Sequence, residues 1–154
     1  CYDVTSYTLN MVFQELQNQG VLLSGIVLKP SMIIPGDASN EKIAASEIAK
    51  MTVKCLKEQV PTEVPGCAFL SGGQSDIEAT NHLNLMNSMN KVNMDWNLTF
   101  SYGRALQQSA LKKWGGKDDN IKDAQNILYH RAKCNSQATK GVYTNKMENE
   151  VETV

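Results

Sequence analysis

Gly25-Ile26-Val27-Leu28-Lys29-Pro30-Ser31 is a short apolar run that ends in a lysine and is stopped by a proline. The run closes a longer apolar stretch over 21–28 that is β-branched toward its end, the pattern of a parallel strand covered on both faces. Two later stretches repeat the arrangement. Cys67-Ala68-Phe69-Leu70 runs into Ser71-Gly72-Gly73-Gln74-Ser75, and a strand over 96–102 runs into Gly103-Arg104. Helical patterns lie between them. Apolar periodicity, glycine stops and proline breaks predict helices over 5–19, 46–59, 75–89, 105–114 and 119–139. Ser46 is the expected cap of the second helix. Ser75, with Glu78 three residues on, is a capping box for the third. Strands alternating with helices predict an α/β fold with a parallel sheet and right-handed crossovers.

The bulk composition narrows the function classes. The chain has 154 residues, 42% of them hydrophobic and 20% charged, with a net charge of -1. That suffices for one globular domain with a core. Lys+Arg 15 against Asp+Glu 16 leaves no basic field for nucleic acid. No apolar run approaches the ~20 residues of a membrane span. Cys1, Cys55, Cys67 and Cys134 are not paired as Cys-x-x-Cys, and no histidine stands out beside them as a zinc ligand. Reduced thiols, no metal and no cofactor are expected, in a cytoplasmic compartment. A chain opening at Cys1-Tyr2-Asp3 is expected to lack upstream sequence, which leaves a plastid open as well.

In parallel α/β sheets ligands bind at the carboxyl ends of strands, and each strand end here carries polar chemistry. Lys29 reads either as a lysine snorkelling into water or as a desolvated amine able to form a Schiff base with a ketone. Ser71-Gly72-Gly73 reads either as a tight turn or as an anion nest before a helix N-terminus. Gly103-Arg104 reads either as a solvated helix start or as an access point with a bidentate phosphate fork. Taken together, two consecutive phosphate-type loops match the site after strands 7 and 8 of a (β/α)8 barrel, which makes the Lys29 strand the sixth.

Leu28-Lys29-Pro30-Ser31-Met32, Phe69-Leu70-Ser71-Gly72-Gly73-Gln74-Ser75 and Phe100-Ser101-Tyr102-Gly103-Arg104-Ala105-Leu106-Gln107 resemble signature segments of class I fructose-bisphosphate aldolase. The resemblance runs from Cys1 to about Tyr143, and Ser31 and Ala79-Thr80 look plant-like. It implies the C-terminal part of a TIM barrel, with its last three βα units and C-terminal helix over 1–143 and a polar, loose tail over 144–154. It implies that Lys29 is the Schiff-base lysine and that Leu70, Ser71, Gly72, Gly103 and Arg104 hold a substrate phosphate. The implied reaction is metal-independent cleavage of fructose 1,6-bisphosphate to dihydroxyacetone phosphate and glyceraldehyde 3-phosphate, in glycolysis and gluconeogenesis. The implied assembly is a homotetramer. By the same resemblance, the family's acid/base glutamate, its strand-1 aspartate and its other active-site lysines belong to strands preceding Cys1. Ser24 and Tyr2 stand where the family usually has glutamate and glutamine. Tyr143 does not match the family's C-terminal tyrosine. The alternative reading is a truncated, non-catalytic aldolase-like protein that associates with other subunits.

The remaining features read as structural. His82 and His130 are expected at surface or packing positions on helices, and Trp96 and Trp114 at helix–sheet contacts. Asn97-Leu98-Thr99 has the glycosylation pattern but falls in a predicted buried strand.

Overall fold

A computed structural model describes residues 1–36, 38–89 and 94–150. Its elements follow the predicted order except at the first strand. They are α1 (Tyr2–Asn18), α2 (Ala45–Gln59), β1 (Gly66–Phe69), α3 (Asp76–Met89), β2 (Asn97–Phe100), α4 (Arg104–Trp114) and α5 (Ile121–Thr139). Short 3-10 turns occupy Leu23–Gly25, Asp118–Asn120 and Asn145–Asn149. No helix among the described residues is long and apolar enough to cross a membrane.

β1 and β2 pair in parallel, with Gly66 opposite Asn97 and Phe69 opposite Phe100. The predicted strand over 21–28 is reduced to its end. Leu23–Gly25 turns as 3-10 helix, and only Leu28 forms a bridge, with Cys67. Proline explains where the bridging stops. Leu28 N–H donates to the Gly66 carbonyl at 3.1 Å, and Ala68 N–H donates to the Leu28 carbonyl at 2.8 Å. Leu70 N–H donates to the Pro30 carbonyl at 2.9 Å. The return bond would need an N–H on Pro30, which has none. Residues 28–30 are therefore a third, one-sided rung of the parallel sheet.

Only one face of this sheet is covered by the described residues, against the expectation of burial on both. Successive side chains of a strand alternate faces. Pro30 is buried, as are Cys67 and Phe69 (both 0% exposed) and Leu98 (4%). This face joins a continuous core with Leu56 of α2, Leu83 and Met86 of α3, and Cys134 and Ala138 of α5. The opposite face is open: Val27 is 62% exposed and Leu70 37%, and Lys29 is exposed. Among the helices α1 packs on α2, α2 on α3, α3 on α5 and α5 on α4.

Several helix ends follow the sequence, and others do not. The capping box forms at α3: Glu78 accepts from Ser75 N–H at 2.9 Å and from its hydroxyl at 2.8 Å, while Glu78 N–H donates back to Ser75 Oγ at 3.3 Å. The cap expected at Ser46 does not form; α2 starts one residue earlier, after Ala44, without a side-chain cap. Trp96 is buried, its indole N–H donating to the Pro61 carbonyl at 2.9 Å. Trp114 is 42% exposed in a groove between α4 and α5 rather than against the sheet. Asn97 of the sequon is exposed in β2. Within the polar segment over 144–154, Asn145–Asn149 turns back so that Glu148 meets Arg131 of α5; residues 151–154 lie outside the described residues.

This one-sided sheet gives opposite expectations for two neighbouring strand positions. In the 154-residue chain, Phe69→Ala is expected to lower stability by about 3–5 kcal/mol, because it empties the centre of the covered face. Val27→Ser is expected to change it by less than about 0.5 kcal/mol. Urea unfolding of both variants checks the pair. A large loss from Val27→Ser would show that both faces are buried.

Candidate functional site

The parallel register assembles the site from separated segments. With Leu28 opposite Cys67 and Ala68 opposite Thr99, Lys29, Ala68 and Thr99 form one row on the open face. Leu70 and Ser101 extend that face one row toward the strand ends, where Ser101 N–H donates to the Phe69 carbonyl at 2.8 Å. Sequence motifs single out Lys29 and Leu70, but the flanking Ala68, Thr99 and Ser101 emerge only once the register is known. Their signal was the period-two alternation of β1 and β2.

Beyond this row the two predicted phosphate loops meet. Ser71 is 5% exposed, and Gly72 takes the left-handed backbone at φ 58°. Gln74 N–H closes the turn on the Ser71 carbonyl at 3.1 Å. Among the described residues, the N–H groups of Gly72, Gly73 and Gly103 have no internal acceptor. The first turns of α3 and α4, at Asp76 and Arg104, adjoin them. Arg104 ties the loops together, its Nη2 donating to the Gly72 carbonyl at 2.5 Å. Two helix N-termini, a glycine turn with free N–H groups and a guanidinium converge at this corner, and each is donor chemistry of a kind that suits an anion.

The corner is braced from behind. The buried Tyr102 hydroxyl donates to the Ala79 carbonyl at 2.8 Å, and burial pushes its pKa far up, so it stays a neutral strut. Ile33 N–H donates to Thr52 Oγ1 at 2.9 Å, anchoring the segment after Lys29 to α2. The Gln74 amide bridges Met32 Sδ, at 3.5 Å, and His82 Nδ1, linking the lysine segment to the phosphate loop and α3. Burial holds His82 below the ordinary histidine range against the opposing pull of Glu78, so it is a neutral packing residue, as the sequence suggests.

Lys29 is exposed, not enclosed, and no carboxylate among the described residues lies within ion-pair distance of it. The desolvation expected of a Schiff-base amine is thus not supplied by these residues. The open face is the cause, since nothing among them stands opposite it. One cluster was missed altogether. His130, Cys134 and Glu148 bring their ligand atoms within 4.8 Å of one another, although no histidine had suggested a metal site. The readable signal was the spacing of His130 and Cys134, one turn apart on a predicted helix.

Two local expectations follow. Gly72→Ala has room, since an added Cβ would come no closer than 3.8 Å to Ile34, so its penalty is conformational alone. It is expected to cost about 1–2 kcal/mol and to weaken anion binding at the corner; urea unfolding and phosphate titration followed by NMR would check this, and an unchanged stability would contradict it. At Glu78, bonds from Ser75 backbone and hydroxyl hold the carboxyl below its usual range. Its contribution to stability is therefore full above the ordinary glutamate range and lost as pH falls through the lowered folded value. Glu78→Gln is expected to flatten the acid limb of the stability–pH curve, and an unaltered limb would contradict it.

Comparison with known proteins follows the same segments. The model of the glycolytic fructose-bisphosphate aldolase class-I family matches residues 1–154. The chain is 50% identical over 143 residues to fructose-bisphosphate aldolase 4, cytosolic, of Arabidopsis thaliana, covering 93% of this chain and 36% of that protein. It is 48% identical over 149 residues to the same organism's fructose-bisphosphate aldolase 1, chloroplastic, covering 97% and 37%. Against fructose-bisphosphate aldolase 2 of Caenorhabditis elegans it is 49% identical, over 91% of this chain and 38% of that one. Among solved structures, fructose-bisphosphate aldolase from Plasmodium falciparum, in complex with TRAP and a small-molecule inhibitor, superposes with a TM-score of 0.90 at 45% identity. That match covers 94% of this chain and 41% of the other. The chain thus spans about two fifths of the length of the relatives it matches.

Proposed function

The chain belongs to the class-I fructose-bisphosphate aldolase family, and from that premise we propose that it carries the Schiff-base and phosphate-binding half of an aldolase active site. The observation that supports this most is the register: it sets Lys29 one row below two loops joined by the Arg104–Gly72 bond. In this reading Leu70, Ser71, Gly72, Gly103 and Arg104 hold a phosphate of fructose 1,6-bisphosphate. That phosphate orients the ketone carbon toward Lys29, so binding energy is spent on alignment. Lys29 Nζ adds to the ketone, and loss of water gives an iminium. The electron pair of the breaking carbon–carbon bond flows into that iminium and leaves an enamine. The products are glyceraldehyde 3-phosphate, released first, and dihydroxyacetone phosphate, released after the enamine is protonated and hydrolysed.

The open sheet face supports a finer reading of the fold. Residues 1–143 form the last three βα units of a (β/α)8 barrel, and the uncovered face carrying Lys29 is the barrel interior. The remaining strands cover Val27 and Leu70 and desolvate the lysine. They also bring the proton-transferring carboxylate, since the positions that the register places on this face include none. The assembled enzyme is a homotetramer, and its compartment is the cytoplasm, with a plastid the alternative because relatives of both kinds match.

In the complete protein, Lys29→Ala is expected to abolish cleavage of fructose 1,6-bisphosphate. Arg104→Met, which removes a charge-assisted phosphate contact, is expected to raise KM by roughly 10-fold or more. The 154-residue chain alone is expected to give no measurable cleavage. Coupled assay of triose phosphate release checks all three. Turnover that survives Lys29→Ala would refute the assignment.

A further inference from the structure

His130 and Cys134 lie one turn apart on α5, and Glu148 reaches them from the turn Asn145–Asn149. None of the three belongs to the strand-tip site. We propose that they form a structural site for one zinc-class divalent ion, which pins the segment after α5 to that helix.

The geometry favours this metal class. Cys134 Sγ is 3.6 Å from His130 Nε2, and His130 Nε2 is 3.7 Å from Glu148 Oε2. Tetrahedral zinc, with bonds of about 2.3 Å to sulfur and 2.0–2.2 Å to nitrogen and oxygen, sets its ligand atoms roughly 3.3–3.6 Å apart. Two edges of the triangle are already close to that size. All three ligand atoms lie within 4.8 Å, so the last edge needs only a small side-chain adjustment. A thiolate with an imidazole selects zinc-like ions over calcium or magnesium, which take shells of oxygen. Three protein ligands leave the fourth position to water.

The surroundings orient the carboxylate. Tyr143 hydroxyl donates to Glu148 Oε1 at 2.6 Å, and Arg131 pairs with Oε2. Arg131 is in turn held by Thr80, which donates to the buried Asn135. Tyr143, on Oε1, is an outer partner of the kind that fixes a ligating carboxylate in metal sites, whereas Arg131 shares Oε2 and gives way on that oxygen when the ion binds. Thiolate and carboxylate carry two negative charges and Arg131 one positive. In the free protein the protonated thiol leaves Glu148 and Arg131 balanced, and the thiolate that forms as the ion binds brings the ligand set to minus one against the two positive charges of the ion. On binding, the Cys134 thiol proton leaves to solvent and the ion takes its place, so affinity rises with pH. In the free protein that proton and the Arg131 pairing fill the same space.

Cobalt(II) titration of the protein tests the site, because thiolate-to-cobalt charge transfer reports a Cys ligand directly. One equivalent is expected to give that band together with tetrahedral ligand-field bands, and zinc is expected to displace it. Cys134→Ser should remove the charge-transfer band, whereas Cys1→Ser, at the exposed thiol, should leave it intact. His130→Gln is expected to weaken binding by at least about tenfold, and Tyr143→Phe, which only loosens the Glu148 carboxylate, by about tenfold. Circular dichroism accompanies each variant, and should Cys134→Ser fail to fold, His130→Gln and Tyr143→Phe decide. Absence of the band in the parent protein overturns the proposal. So does its loss in Cys1→Ser, or undiminished affinity in folded His130→Gln and Tyr143→Phe.

Discussion

Everything at the strand tips depends on the three hydrogen bonds that residues 28–30 make with Gly66 and Ala68 of β1 and with Leu70 just after it. They set Leu28 against Cys67, and so Lys29 against Ala68. Because strand side chains alternate faces, a slip of one residue would send Lys29 into the helical layer and Pro30 out of it. The core prevents that slip. Pro30, Cys67, Phe69 and Leu98 share the buried face with residues of α2, α3 and α5, and burying a lysine among them without a partner would cost several kcal/mol. The hydrophobic effect on one face thus places the amine on the other.

The same division governs the corner where the two glycine loops meet. α3 and α4 bury their apolar sides on the covered face, so their N-termini start at the strand ends next to the glycine turns. Gly72 supplies the left-handed backbone, and Arg104 reaches across to its carbonyl. Tyr102 and Gln74 hold this corner to α3 and to the segment after Lys29. The open face then has a simple physical meaning. In the proposed reading it is part of a barrel interior, with Lys29 and the corner at the strand ends facing the wall that other strands would supply.

Much of this was legible in the sequence. A lysine followed by proline at the end of an apolar run marks a strand tip. Ser75 and Glu78 specify a cap by local chemistry alone, and the glycine turns mark where strands give way to helices. Other features depended on partners distant in the chain. The strand over 21–28 shrank because the stretch before Leu28 turned at Leu23–Gly25, and it could not extend past Leu28 because Pro30 lacks an N–H. A run that is apolar throughout cannot by itself say whether one face or two will be covered. Glu148 reads as part of a polar, acidic tail, yet Arg131 and Tyr143 draw it against α5. Trp114 reads as a packing residue at a helix–sheet contact and instead lines a groove between α4 and α5.

The most direct measurement is reductive trapping. The complete protein is incubated with dihydroxyacetone phosphate, reduced with borohydride, digested and mapped by mass spectrometry. The expected result is one covalent adduct per chain on Lys29, suppressed by competing inorganic phosphate and absent in Lys29→Ala. Labelling spread over other exposed lysines such as Lys54, or undiminished in Lys29→Ala, would contradict the assignment of Lys29 as the carbonyl-seeking amine.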